Sequence, residues 1–351
     1  VGRFDFSFYK GKKVLITGHT GFKGSWLCKV LSLIGANITG YSLQPPTSPS
    51  LYDLLNDGIN TITADIRDIT TLKKTIKDIA PEIIFHMAAQ PLVRESYNNP
   101  VLTYETNVMG TVNLLEACRG VSSIKSIVNV TTDKVYENKE WHWGYRENET
   151  LNGRDPYSNS KSCAELVTYS YKASFFDYAD APSISTARSG NVIGGGDFST
   201  DRIVPDCVRA AVKGEKIILR NPHSIRPYQH VLDTLFGYLM LGKLQYEDKT
   251  VCGSYNFGPD VDGCVTTGEL ATLFCNAWGS DAEWETTQND GPHEAGYLKL
   301  DCSKANNVLR WNPCIPIKKA VDLTVEWTKC WVDNLDVNKC MDEQIRTCLY
   351  D

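Results

Sequence analysis

Apolar positions in the first half of the chain follow two alternating rhythms. Short, nearly continuous apolar runs at Lys13 to Thr17, Ile38 to Leu43, Ile59 to Ala64, Glu82 to His86, Ser126 to Thr131 and Ser183 to Arg188 predict strands. Between them, Ser25 to Ile34, Thr70 to Ile79, Val101 to Cys118 and Pro156 to Ser174 carry apolar residues at helical spacing, and Pro81 stops the second of these helices. Strands alternating with helices predict an α/β fold with a doubly wound parallel sheet of the Rossmann type. The continuous runs fit strands covered on both faces. After Gly190 the rhythm gives way to glycine clusters, prolines and shorter elements, which predict a smaller α/β lobe. The expected division is 1–187 plus about 228–258 for the sheet domain, with the chain crossing back to the sheet there. The second lobe takes about 188–227 and 259–351.

Composition narrows the function classes. The 351 residues carry a net charge of -6, so there is no basic footprint for nucleic acid. No apolar run is long enough to span a bilayer. Twelve cysteines are scattered without CxxC pairs or Cys/His clusters, which reads as reduced thiols and no metal site. No secretory signal opens the chain, so a cytoplasmic location is the expectation. Val1 stands where an initiator Met is absent, which leaves processing or trimming of the start open.

Gly18-His19-Thr20-Gly21-Phe22-Lys23-Gly24 follows the first strand and opens a helix. Glycines there permit a tight turn and close backbone approach, and the helix N-terminus offers free N–H groups to a pyrophosphate. His19 and Lys23 either add charge beside the phosphates or are exposed polar residues at a helix start. No acidic residue follows the second strand; Asp65-Ile66 after the third either contacts adenine or is a solvated loop pair. A second motif, Asp155-Pro156-Tyr157-Ser158-Asn159-Ser160-Lys161, begins a helix with Asp155 as N-cap and Pro156 in the first position. Tyr157 and Lys161 share one face, and an ammonium beside a phenol favours the phenolate, a base for a sugar hydroxyl.

These motifs, with His86-Met87-Ala88-Ala89 and Asn107-Val108-Met109-Gly110-Thr111, resemble the extended short-chain dehydrogenase/reductase family over nearly the whole chain. The resemblance implies NAD as cofactor, Tyr157 as base, Lys161 on the nicotinamide ribose, Thr132 polarising the reacting oxygen, Ala88 and Ala89 lining the cofactor and Asn107 supporting the site's backbone. Thr131-Thr132-Asp133-Lys134 differs from the epimerases and from the Thr-Asp-Glu of most sugar dehydratases; it is similar to the subgroup acting on CDP-glucose. That implies C4 oxidation, loss of water across C5 and C6 with Asp133 as acid, and return of hydride to C6. Lys134, where a glutamate base usually stands, serves as base only when neutral; holding a water, stabilising an enolate, or pairing with Asp133 to cap the strand are the other readings. Asn191 and Arg226 match the family's diphosphate-binding positions, with Arg220 and Arg94 as further candidates. Tyr297 is either a wall of the nucleotide pocket or core packing. Val101 to Cys118 and Pro156 to Ser174 match the helices of the family's dimer seam, so a homodimer is implied, with further pairing into a dimer of dimers left open. Deoxysugar supply for surface polysaccharides such as O-antigen is the pathway context implied. The rival readings are another nucleotide-sugar dehydratase or epimerase, and a noncatalytic dinucleotide sensor.

Overall fold

The computed structural model describes residues 6–55, 58–279, 282–287 and 296–350. Seven strands form one parallel sheet in the order β3-β2-β1-β4-β5-β6-β10. They are β1 (Lys13–Thr17), β2 (Asn37–Ser42), β3 (Asn60–Thr63), β4 (Ile83–His86), β5 (Ser126–Val130), β6 (Ser183–Ser189) and, returning from the second lobe, β10 (Ser254–Phe257). The helices in chain order are α1 (Phe22–Ile34), α2 (Leu51–Leu55), α3 (Ile69–Ile79), α4 (Val93–Asn98), α5 (Pro100–Tyr104), α6 (Gly110–Cys118), α7 (Pro156–Phe175), α8 (Ile203–Lys213), α9 (Val231–Glu247), α10 (Thr267–Trp278), α11 (Ile317–Val332) and α12 (Val337–Tyr350).

The pleat explains the continuous apolar runs. Val14, Ile16, Ile83 and Phe85 face one core with Trp26, Leu31, Leu235 and Tyr238. Their neighbours Leu15 and Ile84 face the other, with Leu72, Ile76, Leu114 and Leu115. Each such side chain contributes about 2 kcal/mol by burial, so neither face tolerates polar alternation. The helix expected from Val101 to Cys118 is in fact α5, a π-turn at Glu105–Met109, and α6. Insertions of this kind are common at functional sites, and this one carries Asn107.

The second lobe holds β9 (Ile225–His230) between β7 (Asn191–Ile193) and β11 (Cys264–Thr266), and a two-stranded pair of β8 (Ile217–Leu219) with β12 (Trp284–Thr286). Val204, Leu270, Phe274 and Val321 form its core. The expected boundary at 259–351 needs correction. Trp327 of α11 and Met341 and Ile345 of α12 lie in the sheet domain's core beside Trp26. We therefore propose that the second lobe ends within α11 and that α12 belongs to the sheet domain. An apolar helical stripe says that a face is buried, not against what. The glycine cluster after β7 is close packing rather than a linker: a Cβ on Gly195 would lie 2.1 Å from the Trp327 ring, and Gly195 O accepts the Trp26 indole N–H at 2.9 Å.

Candidate active site

The strand order reverses between β1 and β4, and the loops leaving these two strands meet there. Gly18 takes φ +75° and passes so close to the other loop that a Cβ would sit 2.7 Å from Ala88 N. The Thr17 hydroxyl accepts from Met87 N and Ala88 N at 3.1 and 3.2 Å, so its own proton goes to His86 Nδ1 at 2.7 Å. The first turn of α1 follows Gly21 with no side-chain cap. A backbone that close, ending in uncapped amides at a topological switch point, fits the pyrophosphate of a dinucleotide. Thr20 steadies the loop through Ser42 Oγ and Leu43 O. Asn107 pins the chain after Ala88-Ala89, accepting from Gln90 N at 2.8 Å and donating to Gln90 O and Ser160 Oγ.

Two members of the loop behave differently from either expectation. His19 is fully buried, its ring pressed on Gly40 and edge-on to Tyr52. Burial pushes it down to about 4, so it brings no charge to a phosphate and is not an exposed helix-start residue. Lys23 reaches into the catalytic cavity, where Nζ donates to Ser189 Oγ at 3.3 Å and Tyr238 OH at 3.5 Å. Burial, then Lys161 and Arg202, push it down to about 7. The Asp65 carboxylate is engaged by Arg67 at 2.7 Å, and Ile66 packs on Gly110.

α7 begins as its residues dictate: Asp155 caps it, accepting from Ser158 N at 3.0 Å, with Pro156 in the first turn. Tyr157 opens onto the cavity, and Lys161, one turn on, is buried with Nζ donating to Val130 O at 3.1 Å. Burial raises the Tyr157 phenol to about 12, with the Thr132 hydroxyl in hydrogen-bond contact and Arg202 pulling the other way. Burial lowers Lys161 to about 8, against the pull of Glu165. Just past β5, Asp133 is 1% exposed. Its Oδ1 accepts from the Thr132 hydroxyl at 3.0 Å, while Oδ2 is buried with no partner. Burial raises this carboxyl against Lys134, the Thr132 hydroxyl, Arg226 and Lys23. A buried carboxyl raised by its surroundings in the same cleft as a buried phenol is the kind of perturbed titratable cluster that marks acid/base work.

Thr132, Asp133, Lys134 and Tyr157 face one cavity of about 820 Å³, within the range of small-molecule sites. Asn191, Arg94, Arg220 and Arg226 line it too. Arg94 and Arg220 both reach Asp201, at 3.1 and 3.6 Å, so one carboxylate sits between two cavity guanidiniums. Tyr297 is not among the lining residues; its hydroxyl donates to His142 O and its ring stands edge-on to His142, while Leu298 reaches the cavity instead. This favours the packing reading. Sequence reasoning missed Arg202, Ser189 and the wall formed by Tyr136, Glu137 and Asn138, all cavity-lining. Arg202 and the Tyr136–Asn138 wall lie in irregular segments, where no periodicity marks a direction, and Ser189 ends β6, where the strand pattern runs out.

A family profile described as GDP-mannose 4,6 dehydratase matches residues 15–324. The chain belongs to the GDP-mannose 4,6 dehydratase family. Among the relatives of this dehydratase-family chain is a CDP-glucose 4,6-dehydratase of Salmonella typhimurium, 47% identical over 348 residues and covering 97% of each chain. A dTDP-glucose 4,6-dehydratase of Streptomyces venezuelae, solved with NAD and TYD bound, superposes with a TM-score of 0.79 at 21% identity, over 93% of this chain and 99% of that one. A UDP-glucose 4-epimerase of Thermotoga maritima gives 0.80 at 21% identity, over 91% and 99%. The two structural likenesses establish that the family's dehydratases and epimerases share this fold, and leave the choice of reaction to the site.

Proposed function

We propose that the chain catalyses NAD-dependent 4,6-dehydration of CDP-glucose. The observation that carries the reading is Asp133: a buried, raised carboxyl beside Thr132, Lys134 and Tyr157, in a chain 47% identical to a CDP-glucose 4,6-dehydratase. Held by the Gly18–Gly24 loop, NAD would supply a reversible acceptor for the hydride exchanged between sugar C4 and C6. The chain's own residues do the proton work. Tyr157 takes the C4 hydroxyl proton, assisted by the Thr132 hydroxyl and by the Lys161 ammonium one turn away. Asp133 gives its proton to the departing C6 hydroxyl, and Lys134, bordering the same cavity, is the candidate for the C5 proton. Arg94, Arg220, Arg226 and Asn191 hold the diphosphate, with planar guanidinium forks suited to phosphate oxygens. Asp65, Ile66, Ala88 and Ala89 belong to the cofactor side in this reading.

The test is mass spectrometry after incubation with NAD and, separately, CDP-, UDP-, GDP- and dTDP-glucose. Loss of one water from CDP-glucose alone is expected. Loss from another donor keeps the chemistry and removes the cytidine assignment; no water loss from any overturns the dehydratase reading.

We also propose a cytoplasmic homodimer. Among the described residues no helix is long and apolar enough to cross a membrane, and all twelve cysteines are free thiols. The helices α5 and α7 pack together yet leave Val101 (69% exposed), Leu102, Met109 at the π-turn, Leu166 and Tyr169 (74% exposed) uncovered. Exposed apolar residues on a packed helix pair of this kind mark an association surface. Tyr169→Glu is expected to convert the dimer to a folded monomer, read by sedimentation velocity with circular dichroism unchanged.

A further inference from the structure

Glu165 lies one turn beyond Lys161 on α7, and only 3% of it is exposed. Its Oε1 accepts from the Thr131 hydroxyl at 2.5 Å and from Arg188 Nε at 2.9 Å. Its Oε2 accepts from Arg188 Nη2 at 2.9 Å, the Thr186 hydroxyl at 2.7 Å and the Ser254 hydroxyl at 3.4 Å. Arg188, equally buried, runs on to Tyr136 OH at 2.8 Å and Glu147 O at 3.0 Å. One carboxylate thus ties the base-bearing helix to β5, β6 and β10, and through Arg188 to the cavity wall at Tyr136. Thr131 directly precedes Thr132 and Asp133. Neither Glu165 nor Arg188 lines the cavity.

A buried ion pair is seldom the most stable filling for such a space; well-packed apolar residues often do as well or better. What apolar packing cannot supply is a fixed direction for a hydroxyl at a strand end and a negative charge beside a buried ammonium. Resting on the dehydratase reading above, we propose that Glu165 is a positioning residue: its carboxylate registers the Thr131–Asp133 strand end against the helix carrying Tyr157 and Lys161, and sets a negative charge one turn from Lys161 on that helix. Lys23 from α1 and His86 from β4 face the same amine, with Tyr157 one turn before it on α7. His86 is neutral, pushed down to about 3 by burial, and Lys23, pushed down to about 7, is largely neutral where Lys161 titrates, so Glu165 is the group that favours the charge.

The sign follows. With Lys161 pushed down to about 8 by burial, the assistance it gives Tyr157 is expected to be lost on the alkaline side, and activity with it. Without the Glu165 charge that limb moves to lower pH. The experiment compares the full-length protein with Glu165→Gln, Glu165→Asp and the double variant Glu165→Gln/Arg188→Gln, following CDP-glucose turnover from about pH 6 to about pH 10. In Glu165→Gln, kcat falls about 30-fold, KM for CDP-glucose stays within about threefold, and the alkaline limb moves about one unit lower, the size of a neighbouring-charge effect. Glu165→Asp keeps the limb in place, with kcat reduced because the shorter chain gives up Thr131. The double variant, free of an unpaired buried charge, folds and shows the same displaced limb even where the single variant does not fold. An unmoved limb in the double variant, or wild-type kcat in Glu165→Asp, overturns the proposal. Wild-type water loss from CDP-glucose, measured alongside, tests the dehydratase reading separately.

Discussion

Adding CDP-glucose to an Asp133→Asn variant loaded with NAD is expected to turn the nicotinamide spectrum to its reduced form and leave it there. Oxidation at C4 needs Tyr157, Thr132 and Lys161, which the substitution spares. Elimination needs an acid at C6, which an amide does not supply. Water loss should fall about 1,000-fold, the middle of the range for removing a general acid. Asn keeps an oxygen for the Thr132 hydroxyl that Asp133 Oδ1 accepts at 3.0 Å, so the local geometry survives. Stability supplies an independent check. Burial raises the Asp133 carboxyl in the folded state, so the fold gains from its proton at low pH and loses that gain as pH rises through the raised value. The melting-temperature advantage of Asp133→Asn over the wild type should therefore grow as pH rises above the free carboxylate value of about 3.9. Water loss at the wild-type rate removes Asp133 from the acid role.

Much of this site was legible because its chemistry sits at ends of regular elements. The glycines after β1, Asp155-Pro156 before α7 and the Thr-Asp-Lys after β5 are all punctuation marks of a period-2 or period-3.6 pattern, and the pattern fixes where they lie. His19 shows the limit of that reasoning. Its position in the loop was clear, but its direction depends on Gly40 in the next strand, whose missing side chain makes room for the ring. No local rule connects the two. The same holds for α12, whose stripe of Val337, Met341 and Ile345 required a core but could not say which. Helical spacing alone sets Glu165 one turn from Lys161; the structure pairs it with Arg188 on β6, since a guanidinium offers two donors in the carboxylate's plane.

The largest effect is expected from Lys161→Met. Burial holds the Tyr157 phenol at about 12, far from the ionisation a base needs near neutrality, and the neighbouring ammonium is the group on α7 that favours the phenolate. Removing it should lower kcat by about 10,000-fold near pH 7, the upper range for losing assisted proton transfer. The surviving activity should rise tenfold per pH unit towards alkaline pH, because ionisation of Tyr157 is then unassisted. The wild type should instead decline above the Lys161 value of about 8. Stability should move the opposite way. The folded-state value lies below that of a free lysine, so the fold bears a cost for the buried ammonium that is full below about pH 8 and fades as pH rises through the free value of about 10.4. Met removes that cost, so the variant should melt higher than the wild type at pH 7 despite losing the bond to Val130 O, with the gap closing at alkaline pH. A residue that costs stability while supplying rate is what a catalytic role predicts. A variant that is both less active and less stable across the pH range would make Lys161 a structural lysine, and the phenolate would need another source.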